Sequence, residues 1–204
     1  MKRSVTYTVA ALAAFVAVAS GAPKPKKVKF ETKTWEYDAD NEDRAFADWV
    51  KGIGEADYKG KDKWGLVLVK NADTSEFVAA GATLKHLEKV VVQEGDVLGF
   101  DLSDSSESSG GSPRFNVSWT AADGTPGFSF VGGAGNDNEA APASTGWTRY
   151  TFELQDAAEA FPIVPVGATI DSVEVIVDEE GVYALDNIRF RDQFADKPGS
   201  SSPE

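Results

Sequence analysis

Residues 114–120 read RFNVSWT. Phe115, Val117 and Trp119 fall on one parity, and Arg114, Asn116 and Ser118 on the other. That is the period of a strand with one face in a core and one outside it. The pattern extends outward in both directions. Leu98, Phe100 and Leu102 oppose Asp101. Tyr150, Phe152 and Leu154 oppose Trp147, Arg149, Thr151 and Glu153. Val173, Val175 and Val177 oppose Glu174 and Asp178. Strands are predicted at 65–70, 77–84, 88–92, 96–102, 114–120, 127–131, 147–154, 169–178 and 181–191. Clusters of Gly, Ser, Pro, Asp or Asn separate most of them. Phe46, Trp49, Val50 and Ile53 recur at helical spacing and predict one short amphipathic helix before Gly54. Many short strands with a single helix predict an all-β fold, an antiparallel β-sandwich.

Composition narrows the class. The chain has 204 residues, 20 basic and 33 acidic side chains, a net charge of −13, one histidine and no cysteine. Such acidity opposes nucleic-acid and anionic-membrane binding. Without cysteine there is no thiol catalysis, disulfide or thiolate metal site. Lys2 and Arg3 precede an apolar run from Val9 to Ala19, followed by Ser20, Gly21 and Ala22. This is the order of a secretory signal peptide, predicted over 1–22, and the run falls short of the ~20 residues that span a bilayer. The expectation is export: secreted, or periplasmic in a Gram-negative cell, with no membrane insertion after cleavage. Residues 23–29, PKPKKVK, read as a basic linker, 30–195 as a single β-sandwich domain, and 196–204 as a disordered tail.

The block from Gly146 resembles the last strands of carbohydrate-binding modules and related galactose-binding-like jelly rolls. The resemblance is carried by Trp147 with Tyr150, by Ile170 with Val173 and Val177, and by Tyr183 with Asp186, Asn187, Ile188 and Arg189. It implies a jelly-roll topology, sugar binding, and an Asp at position 186 that helps hold a structural calcium. The middle of the chain is similar to a run in secreted bacterial proteins of no assigned activity. Gly65-Leu66, Lys70-Asn71, Leu98-Gly99-Phe100-Asp101 and Ser112-Pro113-Arg114-Phe115-Asn116-Val117 carry that likeness.

Several constellations bear on chemistry. Asp186-Asn187 interrupts the parity of the last strand, since Tyr183 and Leu185 precede it in phase and Ile188 and Phe190 follow out of phase. A hydrogen-bonded bulge or a calcium site would each explain this. Asp38–Asp43, DADNED, lacks the glycine and the distal Glu of a calcium loop and reads as an acidic approach to the helix. Trp147 could stack on a sugar ring, with Arg149, Arg114, Asn116 and Asp101 hydrogen-bonding its hydroxyls. The alternative for Trp147 is a cover over the sheet edge. His86, alone, supports neither a zinc site nor a Ser-His triad. The leading expectation is a non-catalytic extracellular module that binds a glycan, with calcium as an optional structural ion. A structural or surface-associated protein that binds another secreted or surface protein is the second expectation, and a glycoside-active enzyme the third.

Overall fold

The structure, a computed structural model, describes residues 28–55, 63–106, 110–133, 140–200 and 202–203. The predicted leader and most of the basic linker lie outside these residues. The strands, in chain order, begin with β1 (Glu31–Asp38), β2 (Ala45–Lys51), β3 (Trp64–Lys70), β4 (Val78–Lys85) and β5 (Val97–Ser103). There follow β6 (Arg114–Thr120), β7 (Pro126–Gly132), β8 (Ala141–Ser144), β9 (Trp147–Glu153) and β10 (Ala160–Phe161). The chain ends in β11 (Thr169–Val177), β12 (Gly181–Phe190), β13 (Gln193–Ala195), β14 (Gly199–Ser200) and β15 (Ser202–Pro203).

One antiparallel sheet, here sheet A, has the order β10-β7-β6-β11-β4-β1-β14. The other, sheet B, runs β12-β5-β9-β8, with β3 and then β2 continuing beyond β12 and β13 also pairing with β12. Eight strands, β3, β4, β5, β6, β7, β9, β11 and β12, define the topology, and β1 and β2, equally long, extend sheets A and B. Renumbered one to eight, their order is 1-8-3-6 in sheet B and 2-7-4-5 in sheet A. That is a jelly roll, a double Greek key.

The core lies between the two sheets and draws on both, from Phe30 to Ala195. Phe115, Val117, Val173, Val175 and Val177 from sheet A are fully buried against Leu66, Leu68, Leu98 and Phe152 from sheet B. The alternation seen in the sequence is thus the inward face of each strand. Phe100, Phe115 and Phe152 contact one another with ring centroids 5.7 to 6.5 Å apart, tying the sheets across the core.

Three expectations are corrected. The helix at Phe46–Ile53 is instead the strand β2, whose residues 45–51 pair in register with β3. Ala47 and Trp49 alternate inward, which the helical spacing of the larger side chains concealed. Residues 88–92 form no strand, only a bridge between Val91 and Thr169. In the tail, expected to be disordered, Gly199–Ser200 pair with β1 and Ser202–Pro203 with β13, because those edges offer unpaired backbone groups.

Candidate functional site

The outer face of sheet A is built by the parity that does not enter the core. On β6 it presents Arg114, Asn116 and Ser118. In register with them β7 presents Gly132, Phe130 and Phe128, and β11 presents Ile176, Glu174 and Ser172. Beyond β7, Phe161 of β10 pairs with Phe130. Beyond β11, Thr83 of β4 pairs with Glu174, and Lys33 of β1 with Thr83. One row across the strands therefore reads Phe161, Phe130, Asn116, Glu174, Thr83, Lys33. Phe128, Phe130 and Phe161 are 43%, 46% and 77% exposed, an unusual allotment of aromatic surface to solvent. The rings of Phe128 and Phe130 meet edge to face at 5.0 Å. At the far side Trp35 lies over Gly81, where a Cβ would stand 2.5 Å from the indole.

Between these rings the polar groups are fixed. Arg114 forms a bidentate pair with Asp178, both bonds 2.6 Å, and its guanidinium stands 5.0 Å from the centre of the Phe130 ring. Arg114 and then the Ser112 hydroxyl hold the Asp178 carboxyl below its ordinary value. Glu174 accepts the Thr83 hydroxyl at 3.2 Å. Asn116 Oδ1, Arg114 Nε and Trp35 Nε1 are screened from solvent without a hydrogen-bond partner. Buried polar groups are normally satisfied, so three orphans on one face call for an explanation.

The structure divides the predicted site residues. Arg114 and Asn116 lie on this face. Asp101, Arg149 and Trp147 do not: β5 and β9 belong to sheet B, so they occupy the opposite side of the sandwich. Parity predicted the faces of these strands correctly, but parity does not say to which sheet a strand belongs. Trp147 is 9% exposed, which removes it as a stacking platform and leaves the covering role that was its alternative.

Asp101 is itself fully buried on the outer side of sheet B. Arg149 clamps it through two bonds of 2.7 and 2.8 Å, and the Asn187 amide donates to both Asp101 and Glu55 at 2.8 Å. Glu55 also accepts the Ser144 hydroxyl, and its own N–H donates to Asp186. Burial pushes Asp101 up, but Arg149, Glu55 and Asn187 outweigh it and hold the carboxyl low. Glu55 is pushed up to about 7 by burial and by Asp101. Asp186 is pushed up to about 8, chiefly by burial. This network fastens residues 54–55 over the sheet and is internal in character.

The bulge expected at Asp186-Asn187 is present: pairing with β5 shifts between Asp186 and Arg189, and Asn187 has φ 47°. Both Asp186 oxygens are taken by N–H donors, Asn187 at 2.7 Å and Glu55 at 2.8 Å. Among the described residues no group of three or more His, Cys, Asp or Glu side chains is arranged to hold a metal ion. Asp38–Asp43 is a turn before β2, not a helix approach, with Asp38 accepting the Arg44 backbone N–H at 3.0 Å and its side chain at 2.8 Å.

The sequence reading missed Phe128, Phe130, Phe161 and Trp35. The signal existed for two of them: in GFSFV the phenylalanines share a parity opposite Ser129 and Val131, which are buried.

No protein-family model matches the chain, and no curated protein matches its sequence. Among solved structures it is similar to the family 11 carbohydrate-binding module of the cellulosomal cellulase Lic26A-Cel5E of Clostridium thermocellum. The identity is 10%, the TM-score 0.40, and the match covers 85% of this chain and 88% of that one. The strand order given above defines the jelly roll independently of this likeness.

Proposed function

We propose that the protein is an exported, non-catalytic module that binds carbohydrate on the outer face of sheet A. The observation that carries this reading is the solvent-facing trio Phe128, Phe130 and Phe161 with Asn116, Glu174 and Thr83 continuing the same row. Aromatic rings cover the C–H face of a pyranose, and adjacent polar side chains orient its hydroxyls. The leader-like N-terminus and the acidic surface accord with a role outside the cell. A protein-docking surface is the second reading, favoured by one observation: among the described residues β10 and the residue before it bond β7 at residues 130–132, and 126–129 have no strand on that side.

The test is an array of immobilised neutral, acidic and amino-bearing polysaccharides, probed with the full chain and with Phe130→Ala and Phe161→Ala. Retention on at least one glycan is expected, weakened about tenfold, or ~1.4 kcal/mol, by either substitution. A folded protein that no glycan retains, or retention indifferent to both substitutions, would overturn the reading in favour of protein docking.

A further inference from the structure

We propose that the outer face of sheet A takes one neutral polysaccharide chain laid across its strands, held at one end by Phe128 and Phe161 and at the other by Trp35 and Tyr37. The inference rests on the carbohydrate reading and names its ligand class.

The second group of rings lies at the opposite bank of the sheet. Trp35 and Tyr37 share the outward parity of β1, with Gly81 and Ala79 of β4 as their register partners. Tyr37 is 54% exposed, and the Trp35 indole reaches over Gly81 toward the middle of the sheet. Since β14 pairs with β1 only at Glu31 and Thr32, no described strand of sheet A flanks these two rings on the far side. At the first bank Phe128 and Phe161 are exposed, while the Arg114 guanidinium is committed to Phe130. From β1 it is four strand spacings to β7 and five to β10, about 19 and 24 Å. One or two pyranose rings cannot bridge that gap; a longer chain can.

The surface between the banks suits an uncharged chain. Lys33 and Lys85 stand with Glu31 and Glu174 on β1, β4 and β11, and Arg114 is paired with Asp178. These charges cancel. Thr83, Ser118 and Ser172 place hydroxyls on the same parity. Sugar hydroxyls exchange hydrogen bonds with such side chains without meeting a local net charge, whereas a uronic-acid polymer is repelled by a molecule of net charge −13. Each bank covers the C–H face of a pyranose. A chain that reaches both makes its second contact intramolecularly, which raises affinity beyond what either bank supplies. An oligomer too short to reach has no such gain.

The experiment is calorimetric titration of the full chain with cello-, laminari- and manno-oligosaccharides, each as disaccharide, tetrasaccharide and hexasaccharide. In at least one series the hexasaccharide is expected to bind one per chain and about tenfold more tightly than the disaccharide. Tyr37→Ala and Phe161→Ala, one ring removed at each bank, are each expected to cancel most of that gain. Val182→Ala, at an exposed position on β12 of sheet B, is expected to preserve it. A hexasaccharide that binds no more tightly than the disaccharide, or two hexasaccharides per chain, overturns the proposal in favour of separate short sites. So does a hexasaccharide affinity indifferent to either substitution; retention on the array that Phe130→Ala still weakens then leaves the carbohydrate reading standing. Silence of all three series overturns the proposal, and silence across the whole polysaccharide array overturns the carbohydrate reading with it. Circular dichroism identifies a variant that fails to fold, and Tyr37→Leu or Phe161→Leu, apolar without a ring, then takes its place.

Discussion

Lys70 takes a charge into the interior on the last inward position of β3. It is 1% exposed, and its Nζ donates to the carbonyls of Thr74, Glu76 and Asp178 at 3.2, 2.8 and 3.0 Å. An ammonium has three donors, and here each finds a carbonyl. The third carbonyl belongs to the residue whose side chain clamps Arg114, so a residue of sheet B helps locate the candidate face of sheet A. Lys70→Met keeps the stem but takes a charged donor from three part-buried carbonyls, of which that of Glu76 keeps the Val78 N–H, and each lost bond costs about 1–3 kcal/mol. A loss of roughly 3 kcal/mol or more is expected in urea unfolding. A loss below about 1 kcal/mol would show that water replaces the ammonium readily. Asp178→Ala is expected to be milder in stability, since the pair is partly exposed. It would free Arg114 from its place over Phe130, which the Phe130 ring resonances in NMR would report.

At the scale of the strand, the face depends on small residues that let large ones lie flat. A Cβ at Gly81 would stand 2.5 Å from the Trp35 ring and 2.6 Å from the Val175 carbonyl. Gly81→Ala must therefore lift the indole or bend β4, and overpacking of this kind costs about 1–3 kcal/mol. The expected outcome is a lowered melting temperature with a red-shifted tryptophan emission; unchanged emission would place Trp35 elsewhere. The strands show where sequence was informative and where it was not. β5, β6, β9 and the second half of β11 were legible because each sets an apolar parity against a polar one, and β3, β4, β7 and β12 because their apolar runs stand between turn residues. β1 was not, because the parity opposite Trp35 carries Thr32, Thr34 and the exposed Glu36. They are polar for a reason visible only in three dimensions: the Thr32 hydroxyl accepts from Trp49 Nε1 at 3.0 Å, and Glu36 accepts the N–H of Ala47 on the β2 edge at 2.8 Å. The same long-range pairing made β2 a strand against the spacing of its large side chains. Arg114 and Asn116 were legible as outward residues. Asp101 was equally outward by parity, yet Arg149, Asn187 and Glu55, the last far off in sequence, enclose it.

For the molecule as a whole, these carboxyl groups set the pH dependence of stability, and two sets of them act in opposite directions. Glu55 and Asp186 have folded-state pKa values near 7 and 8, above ordinary values of 4.5 and 3.8. Between about pH 4 and 8 the folded chain therefore holds protons that the unfolded chain has released, and stability falls as pH rises through that window. Asp38, Asp101 and Asp178 are lowered, so their contribution is present above the ordinary carboxylate range and disappears as pH falls below it. The overall charge acts with the first set, because self-repulsion of a chain with pI near 4.5 grows as pH rises. Stability is thus expected to peak in mildly acidic solution, at about pH 4–5, and to decline toward pH 8. Urea midpoints measured at pH 5, 6.5 and 8 check this. Glu55→Gln keeps one acceptor oxygen where the carboxylate uses two, one for Ser144 and one for Asn187, and has no titrating proton, so its midpoint should start lower and fall less across the same range. Part of the decline should persist through Asp186. Because Glu55 is partly exposed, solvent screening keeps its share smaller than the shift alone would suggest. A wild-type midpoint that rises from pH 5 to 8, or a variant that declines as steeply as wild type, would mean that Glu55 is already ionised beside Asp101. Arg149 and Asn187 would then be holding two carboxylates between them.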